Sequence, residues 1–331
     1  MLKSVLNVAI LSEKLAILTS GGDAAGMNPA VKSVANYARK LGIEPYVVKW
    51  GLRGLIEGWI EPVTDEFLSD LVHRGGTALG SSRSKRFFEY HFREQAYENL
   101  QRLGISKLVV IGGDGSFNAL NQFYTDFEIP FAGIPATIDN DISGTDYCLG
   151  VDTALNMIRS SVDSIRDTAS SFSRAFVIET MGRDCGYLAM TSALATDAEV
   201  CLVPEIDYDL DKIGGRLRAQ RAAGKQYLLG IVAEGTGMGE SLTRWMGDAL
   251  GMDARLTVLG HVQRGGSPTV YDRIMAFKFA AAALDNLQAG EANKVVTFKD
   301  GAFGMTSINE IADTKHRCDP SLIELCRGLS C

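Results

Sequence analysis

Pro135-Ala136-Thr137-Ile138-Asp139-Asn140-Asp141-Ile142-Ser143-Gly144 continues an apolar run, residues 129–134, that reads as a buried strand. This decapeptide puts a hydroxyl, Thr137, and two carboxylates, Asp139 and Asp141, on one short loop. In an extended segment residues two apart share a face, so the three would form a single row. Two carboxylates that close repel, so either one keeps a proton or a cation lies between them. Upstream, a strand over 107–111 ends in Gly112-Gly113-Asp114-Gly115-Ser116 and passes into a helical pattern over 117–123. A strand, a glycine-rich turn and a helix N-terminus form an anion site from backbone N–H groups and the helix dipole. Asp114 in that turn would not bind phosphate itself but can hold a Mg²⁺ that does. The pattern is that of phosphoryl transfer at the carboxyl edge of a parallel sheet.

The same idiom recurs along the chain. A strand over 15–19 runs into Ser20-Gly21-Gly22-Asp23, followed by a helix over 28–40 with Pro29 in its first turn. Glycine-rich strand-to-helix turns also arise for packing, so this turn alone leaves both readings open. Residues 45–49 read as a strand, 51–58 as a glycine-punctuated loop and 89–103 as an amphipathic helix. Between the last two, Gly75-Gly76-Thr77-Ala78-Leu79-Gly80-Ser81-Ser82-Arg83 is too rich in glycine and serine for a regular element. With Lys85 and Arg86 beside Arg83, it reads as a phosphate-contacting loop. After Gly150, helices over 152–168, 188–195, 209–223, 239–250 and 272–287 alternate with strands over 174–180, 199–203, 227–233 and 256–259. Alternation of this kind implies an α/β fold with a mainly parallel sheet and ligands outside its carboxyl edge. Two βα blocks divide near residue 150, without a low-complexity linker.

The bulk properties narrow the function class. A chain of 331 residues, 46% hydrophobic and 22% charged, suits one large or two medium domains of a soluble enzyme. A net charge of −7 without a basic stripe argues against nucleic-acid binding, and no apolar run is long enough to span a membrane. Residues 1–11 lack a small-residue cleavage site and read as a surface extension or first strand, not a signal peptide. Six cysteines, at 148, 185, 201, 318, 326 and 331, form no CxxC pair and have no histidine at metal spacing. They read as reduced thiols of a cytoplasmic protein, with neither a disulfide framework nor a zinc site, and Cys185 is given no catalytic role.

Taken together, the turns resemble one family, the 6-phosphofructokinases. The resemblance covers roughly residues 15–275 and is most specific at Gly112–Ser116, Pro135–Asp146, Met181–Arg183 and Leu259–Gly266. It implies two Rossmann-like three-layer α/β/α lobes: 1–150 with about 263–313 for the nucleotide, and 151–262 with about 314–331 for the sugar phosphate. Asp139 matches the general base that takes the proton of the sugar 1-hydroxyl as that oxygen attacks the γ-phosphate. A carboxylate beside Mg²⁺ and arginines should have a lowered pKa. Asp114 matches the Mg²⁺ ligand, Asp141 a water-mediated partner, and Thr137 a contact to the transferring group and the sugar. Gly22, Arg83, Gly113, Gly115 and Ser116 would face the phosphates of ATP. Met181, Gly182, Arg183 and Glu234 match contacts to fructose 6-phosphate, with Arg183 also in the catalytic set. Arg174, Arg255, His261 and Arg264 match its 6-phosphate cluster, where a planar guanidinium grips phosphate bidentately. In the family Arg174 and Arg255 reach in from a neighbouring subunit, which implies a homotetramer or homodimer. Asp141 alone reads equally as a loop residue bonding its own backbone, and His261 alone as a satisfied core histidine.

The family divides between ATP and pyrophosphate users. An aspartate at 115 would repel an α-phosphate, and a lysine at 136 would replace part of the nucleotide's contacts; Gly115 leaves the α-phosphate room and therefore favours ATP. Ala136 departs from both patterns, and Ser84-Lys85-Arg86-Phe87 differs from the Phe-Pro sequence of bacterial ATP enzymes. The bacterial effector site is half matched: Lys32, Arg166 and Lys225 are present, but Asn36, Ala223 and Gln226 replace basic residues. Weak or absent regulation by ADP or phosphoenolpyruvate is the expectation. The alternatives are a pyrophosphate-dependent phosphotransferase, an NAD kinase, which shares Gly-Gly-Asp-Gly, and a non-catalytic paralogue, which would have lost Asp114 or Asp139.

Overall fold

Strands and helices alternate through the residues described by this computed structural model, 13–313, 316 and 318–330. The strands are β1 (Lys14–Ser20), β2 (Glu44–Val48), β3 (Ile60–Pro62), β4 (Lys107–Gly112), β5 (Phe131–Pro135), β6 (Ala175–Thr180), β7 (Val200–Leu202), β8 (Leu228–Ala233), β9 (Ala254–Val258), β10 (Lys294–Lys299) and β11 (Ala302–Ser307). The helices up to the middle of the chain are α1 (Met27–Lys40), α2 (Gly51–Glu57), α3 (Asp65–Ser69), α4 (Tyr90–Leu103), α5 (Asp114–Phe127) and α6 (Val151–Phe172). They are followed by α7 (Tyr187–Ala195), α8 (Leu210–Ala222), α9 (Gly239–Leu250), α10 (Val270–Gln288), α11 (Ile308–Asp313) and α12 (Pro320–Ser330).

Two sheets result. The larger has the order β11-β10-β5-β4-β1-β2-β3, parallel except where β3 and β11 join antiparallel at its two edges. The smaller, β7-β8-β6-β9, is parallel throughout. Its two faces bury alternate residues of β8: Leu229, Ile231 and Ala233 join the main core, while Leu228 and Val232 pack with Leu217, Leu242 and Met246. A parallel sheet buried on both faces needs such near-continuous apolar strands. No helix among the described residues is long and apolar enough to cross a membrane.

Register aligns the strand ends. Ser20 of β1 lies beside Gly112 of β4, and Gly112 beside Pro135 of β5, so three loops leave the larger sheet side by side. In the smaller sheet Thr180 lies beside Ala233, which places the loop after β6 next to that after β8.

Two elements differ from the sequence reading. Residues 51–58 are not a loop: Gly51–Glu57 is helical, entered through Trp50 and left through Gly58, both at positive φ. Gly54 faces the Lys49 carbonyl so closely that a Cβ would lie 1.7 Å from it, which explains a glycine inside the helix. The helix after β4 begins at Asp114, before the apolar pattern at Phe117, because its first turn faces the cleft. Residues 1–11, read as an extension, lie outside the described part.

A buried acid that no motif marks ties the layers together. Asp272, in the first turn of α10, is fully buried and accepts hydrogen bonds from Tyr147 Oη (2.6 Å), Gly150 N (2.6 Å), Thr153 N (2.9 Å) and Thr153 Oγ1 (2.5 Å). It thereby holds the N-terminus of α6 against α10. Asp272→Ala would strand several buried donors, each worth roughly 1–3 kcal/mol, for a loss of about 3–5 kcal/mol. The urea midpoint should fall accordingly; an unchanged midpoint would show that Asp272 ties nothing.

Candidate active site

The adjacent strand ends open on a cleft of about 560 Å³. From β1 come Gly21, at φ +90°, and Gly22, whose missing Cβ would lie 2.5 Å from the Arg264 guanidinium. From β4 come Gly113 and α5, whose N-terminus has no side-chain cap and whose first residues, Asp114, Gly115 and Ser116, line the cleft. Gly115 stands at the rim with open space where a Cβ would project, and Ser116 is buried beneath it.

From β5 come Thr137 and Asp139. Asn140, at φ +52°, bends the chain between the two acids. Its side chain holds that conformation, donating to the Asp146 carbonyl (3.1 Å) and accepting from Cys148 N (2.9 Å). The expected extended row of Thr137, Asp139 and Asp141 therefore does not form. The segment is a turn, and the three side chains meet in the cleft because the turn folds them together. Thr137 Oγ1 accepts from the backbone N–H of Asp139 at 3.2 Å.

The loop after β6 faces them. Gly182 adopts φ +132° and Arg183 φ +53°, a conformation a non-glycine residue adopts only at a cost. Arg183 is fixed at both ends: its backbone N–H donates to Glu234 Oε1 (3.0 Å), and its Nε lies 3.2 Å from Asp139 Oδ2. Met181 N donates to the buried Gln263 at 3.2 Å, which anchors the loop after β9. Arg264, on that loop, enters the cleft with its guanidinium 3.6 Å from Asp23 Oδ1.

Positive charge does not outweigh burial here. Burial, with Asp141 adding repulsion, pushes the Asp114 carboxyl up to about 6, against the opposing pull of His316 and Arg183. Asp139 is raised for the same two reasons, although Arg183 and Arg264 counteract it. The expected lowering of Asp139 is thus reversed in the chain by itself, because its carboxylate is nearly fully buried. Asp114 Oδ1 and Asp139 Oδ1 are both buried without a hydrogen-bond partner. Two orphaned carboxylate oxygens, each on an acid repelled by Asp141, suit a cation, and the donor set of hard oxygens suits Mg²⁺.

The cleft brings together Gly22, Arg83, Gly113, Asp114, Gly115, Ser116, Thr137, Asp139, Asp141, Arg183 and Arg264. Glu234 reaches it through the Arg183 backbone. Arg174 and Arg255 do not line it: both pair with Asp253, at 2.7 and 3.1 Å, and His261 is exposed on the short helical turn after β9. No motif points to Leu52 and Phe88, two apolar side chains that line the cleft with Arg83 and Lys85, Phe88 half exposed. An aromatic next to the basic run 83–86 is the signal that would have found Phe88. Of the residues matching the effector site, Lys225 pairs with Glu199, and Arg166 donates to the Thr196 carbonyl and the Tyr227 hydroxyl.

A family model described as phosphofructokinase matches residues 14–287, taking in every strand that contributes to the cleft. The chain belongs to the phosphofructokinase family. It is 50% identical to the ATP-dependent 6-phosphofructokinase of Wolinella succinogenes over 96% of this chain and 99% of that protein. It is 49% identical to the ATP-dependent 6-phosphofructokinase of Sulfurimonas denitrificans over 94% and 98% of the two chains. Among solved structures, phosphofructokinase from Saccharomyces cerevisiae superposes with a TM-score of 0.85 at 31% identity over 90% of this chain. This phosphofructokinase-family chain spans 45% of that yeast chain's length.

Proposed function

We propose that the protein transfers the γ-phosphate of ATP to the 1-hydroxyl of fructose 6-phosphate, giving fructose 1,6-bisphosphate and ADP. The observation that carries this reading is the 3.2 Å pairing of Asp139 with Arg183 inside a cleft walled by two phosphate-cradling turns. Asp139 takes the proton of the 1-hydroxyl as that oxygen forms a bond to phosphorus and the bond to the ADP oxygen breaks. Arg183 orients the carboxylate and offsets charge on the transferring group, and Thr137 steadies the loop beneath it. Asp114, with Asp141 through water, would hold Mg²⁺, whose charge screens the phosphate chain. The bare N-terminus of α5 and the Gly21–Gly22 turn receive phosphate oxygens, with Arg83 above them. Leu52 and Phe88 are suited to pack on the purine.

Met181, Gly182 and Glu234 face the sugar, with His261 and Arg264 toward its phosphate. Arg174 and Arg255 lie outside their own chain's cleft, which favours their serving a neighbouring subunit. Val270, Ile274 and Phe277 expose an apolar stripe on one face of α10, with Val258 and Val262 also exposed, as a subunit contact requires. A cytoplasmic homotetramer or homodimer fits these features.

The direct test is a steady-state assay with ATP and with pyrophosphate as donors to fructose 6-phosphate. Turnover with ATP is expected, and no turnover with either donor would end the proposal. A pH effect on metal binding follows from Asp114. A carboxyl raised to about 6 is protonated below that pH and then cannot ligate, so Mg²⁺ and protons compete. The Mg²⁺ concentration for half-maximal rate should rise by up to about tenfold for each unit of pH below 6 and be flat above 7. A flat profile throughout would remove Asp114 from the metal site.

A further inference from the structure

Behind the Arg183 loop, three segments distant in sequence converge on a group the reaction does not use. Cys185, buried, ends the turn after β6, and Cys318, also buried, lies between α11 and α12. Their sulfurs are 3.5 Å apart, and one ligand atom each from Cys185, Cys318 and His316 fall within 4.8 Å of one another. Glu205, in the turn after β7, adds a carboxylate: its Oε1 lies 3.2 Å from Cys318 Sγ and accepts from Gly186 N at 2.7 Å. Glu205 Oε2 and His316 Nε2 are both buried without a hydrogen-bond partner.

As plain core this arrangement is costly, since buried polar atoms without partners lose their hydration and gain nothing. As a ligand set it has the donors of a zinc-class site: two thiols and an imidazole cluster together, and a carboxylate oxygen lies 3.2 Å from one of the sulfurs. Metal–sulfur bonds of about 2.3 Å at the tetrahedral angle put two sulfurs roughly 3.8 Å apart, near the separation found here. A disulfide would need them at about 2.05 Å.

We infer that Cys185, Cys318 and His316 bind a divalent transition-metal ion of the zinc class, with Glu205 as fourth ligand. On binding, the thiols give up their remaining protons to solvent, and the two thiolates neutralise the ion. The ion pins the stretch before α12 to a residue two positions beyond Arg183. Sequence spacing conceals the site, because only His316 and Cys318 are neighbours; Cys185 and Glu205 arrive through the fold.

The test reads metal, not phosphoryl transfer, so its failure would leave the kinase reading untouched. The full chain, produced with Zn²⁺ in the medium and purified under reducing conditions without chelator, should carry about one zinc per chain by mass spectrometry. Loaded with Co²⁺ instead, it should show a thiolate-to-cobalt charge-transfer band, which oxygen ligands at Asp114 and Asp141 cannot produce. Cys318→Ser and His316→Gln should each weaken metal retention at least about tenfold, while Cys326→Ser keeps it. Wild-type protein that is metal-free, lacks the cobalt band and has free thiols would overturn the inference. So would a Cys185–Cys318 disulfide in metal-free protein, or a cobalt band that survives Cys318→Ser.

Discussion

Asp139→Asn should lower kcat by about 10²–10⁴-fold while changing the KM for fructose 6-phosphate far less. The amide fills the same volume, and Asp139 is all but buried, so the fold has no reason to change. What disappears is the acceptor for the sugar proton and the partner of the Arg183 guanidinium, 3.2 Å away. The loss should therefore fall on the chemical step. The pH profile adds a second reading. Burial and Asp141 raise the Asp139 carboxyl, so in the parent kcat/KM should decline on the acid side at a pH above the ordinary carboxylate range. In the variant that limb should lose its Asp139 component. A variant within about threefold of the parent in kcat would show that some other group takes the proton.

Gly115→Asp should cost more in ATP use than any other change at the nucleotide end. A Cβ at 115 would meet nothing within 4 Å, so the backbone there has room for a side chain to begin. The new carboxylate would project into the space assigned to the α-phosphate. Like charges brought together there cost several kcal/mol, and about 3 kcal/mol corresponds to roughly a hundredfold rise in the KM for ATP. Pyrophosphate has no α-phosphate of a nucleoside to repel, so any activity with it should fall much less. Equal losses with both donors would mean that the substitution damages the shared phosphate site.

The strand-to-helix alternation was legible because buried parallel strands read as apolar runs and their helices as periodic ones; β1, β4, β5, β6 and β8 all follow that rule. Glycine-rich turns marked the strand ends, so the cleft's polar members were legible, whereas Leu52 and Phe88 were not. Three further things escaped the sequence. The bend at Asn140 depends on two hydrogen bonds to residues six and eight positions on, which period-two logic cannot see. The direction of the Asp139 shift depends on how deeply the acid is buried, and a motif carries no depth. Asp272 resembles any helix-start acid until the fold closes Tyr147, Gly150 and Thr153 around it. In each case the deciding partner is supplied by another part of the chain.

Arg183 grows from the smaller sheet, whereas the acid it touches grows from the larger one. The contact is therefore a gauge of how the two sheets are aligned. If one slid past the other by about 1 Å, the reacting groups would part and the rate would fall by as much as a hundredfold, with no residue altered. Any molecule that wedges or clamps the seam between the sheets, wherever it binds, would act as a throttle on turnover.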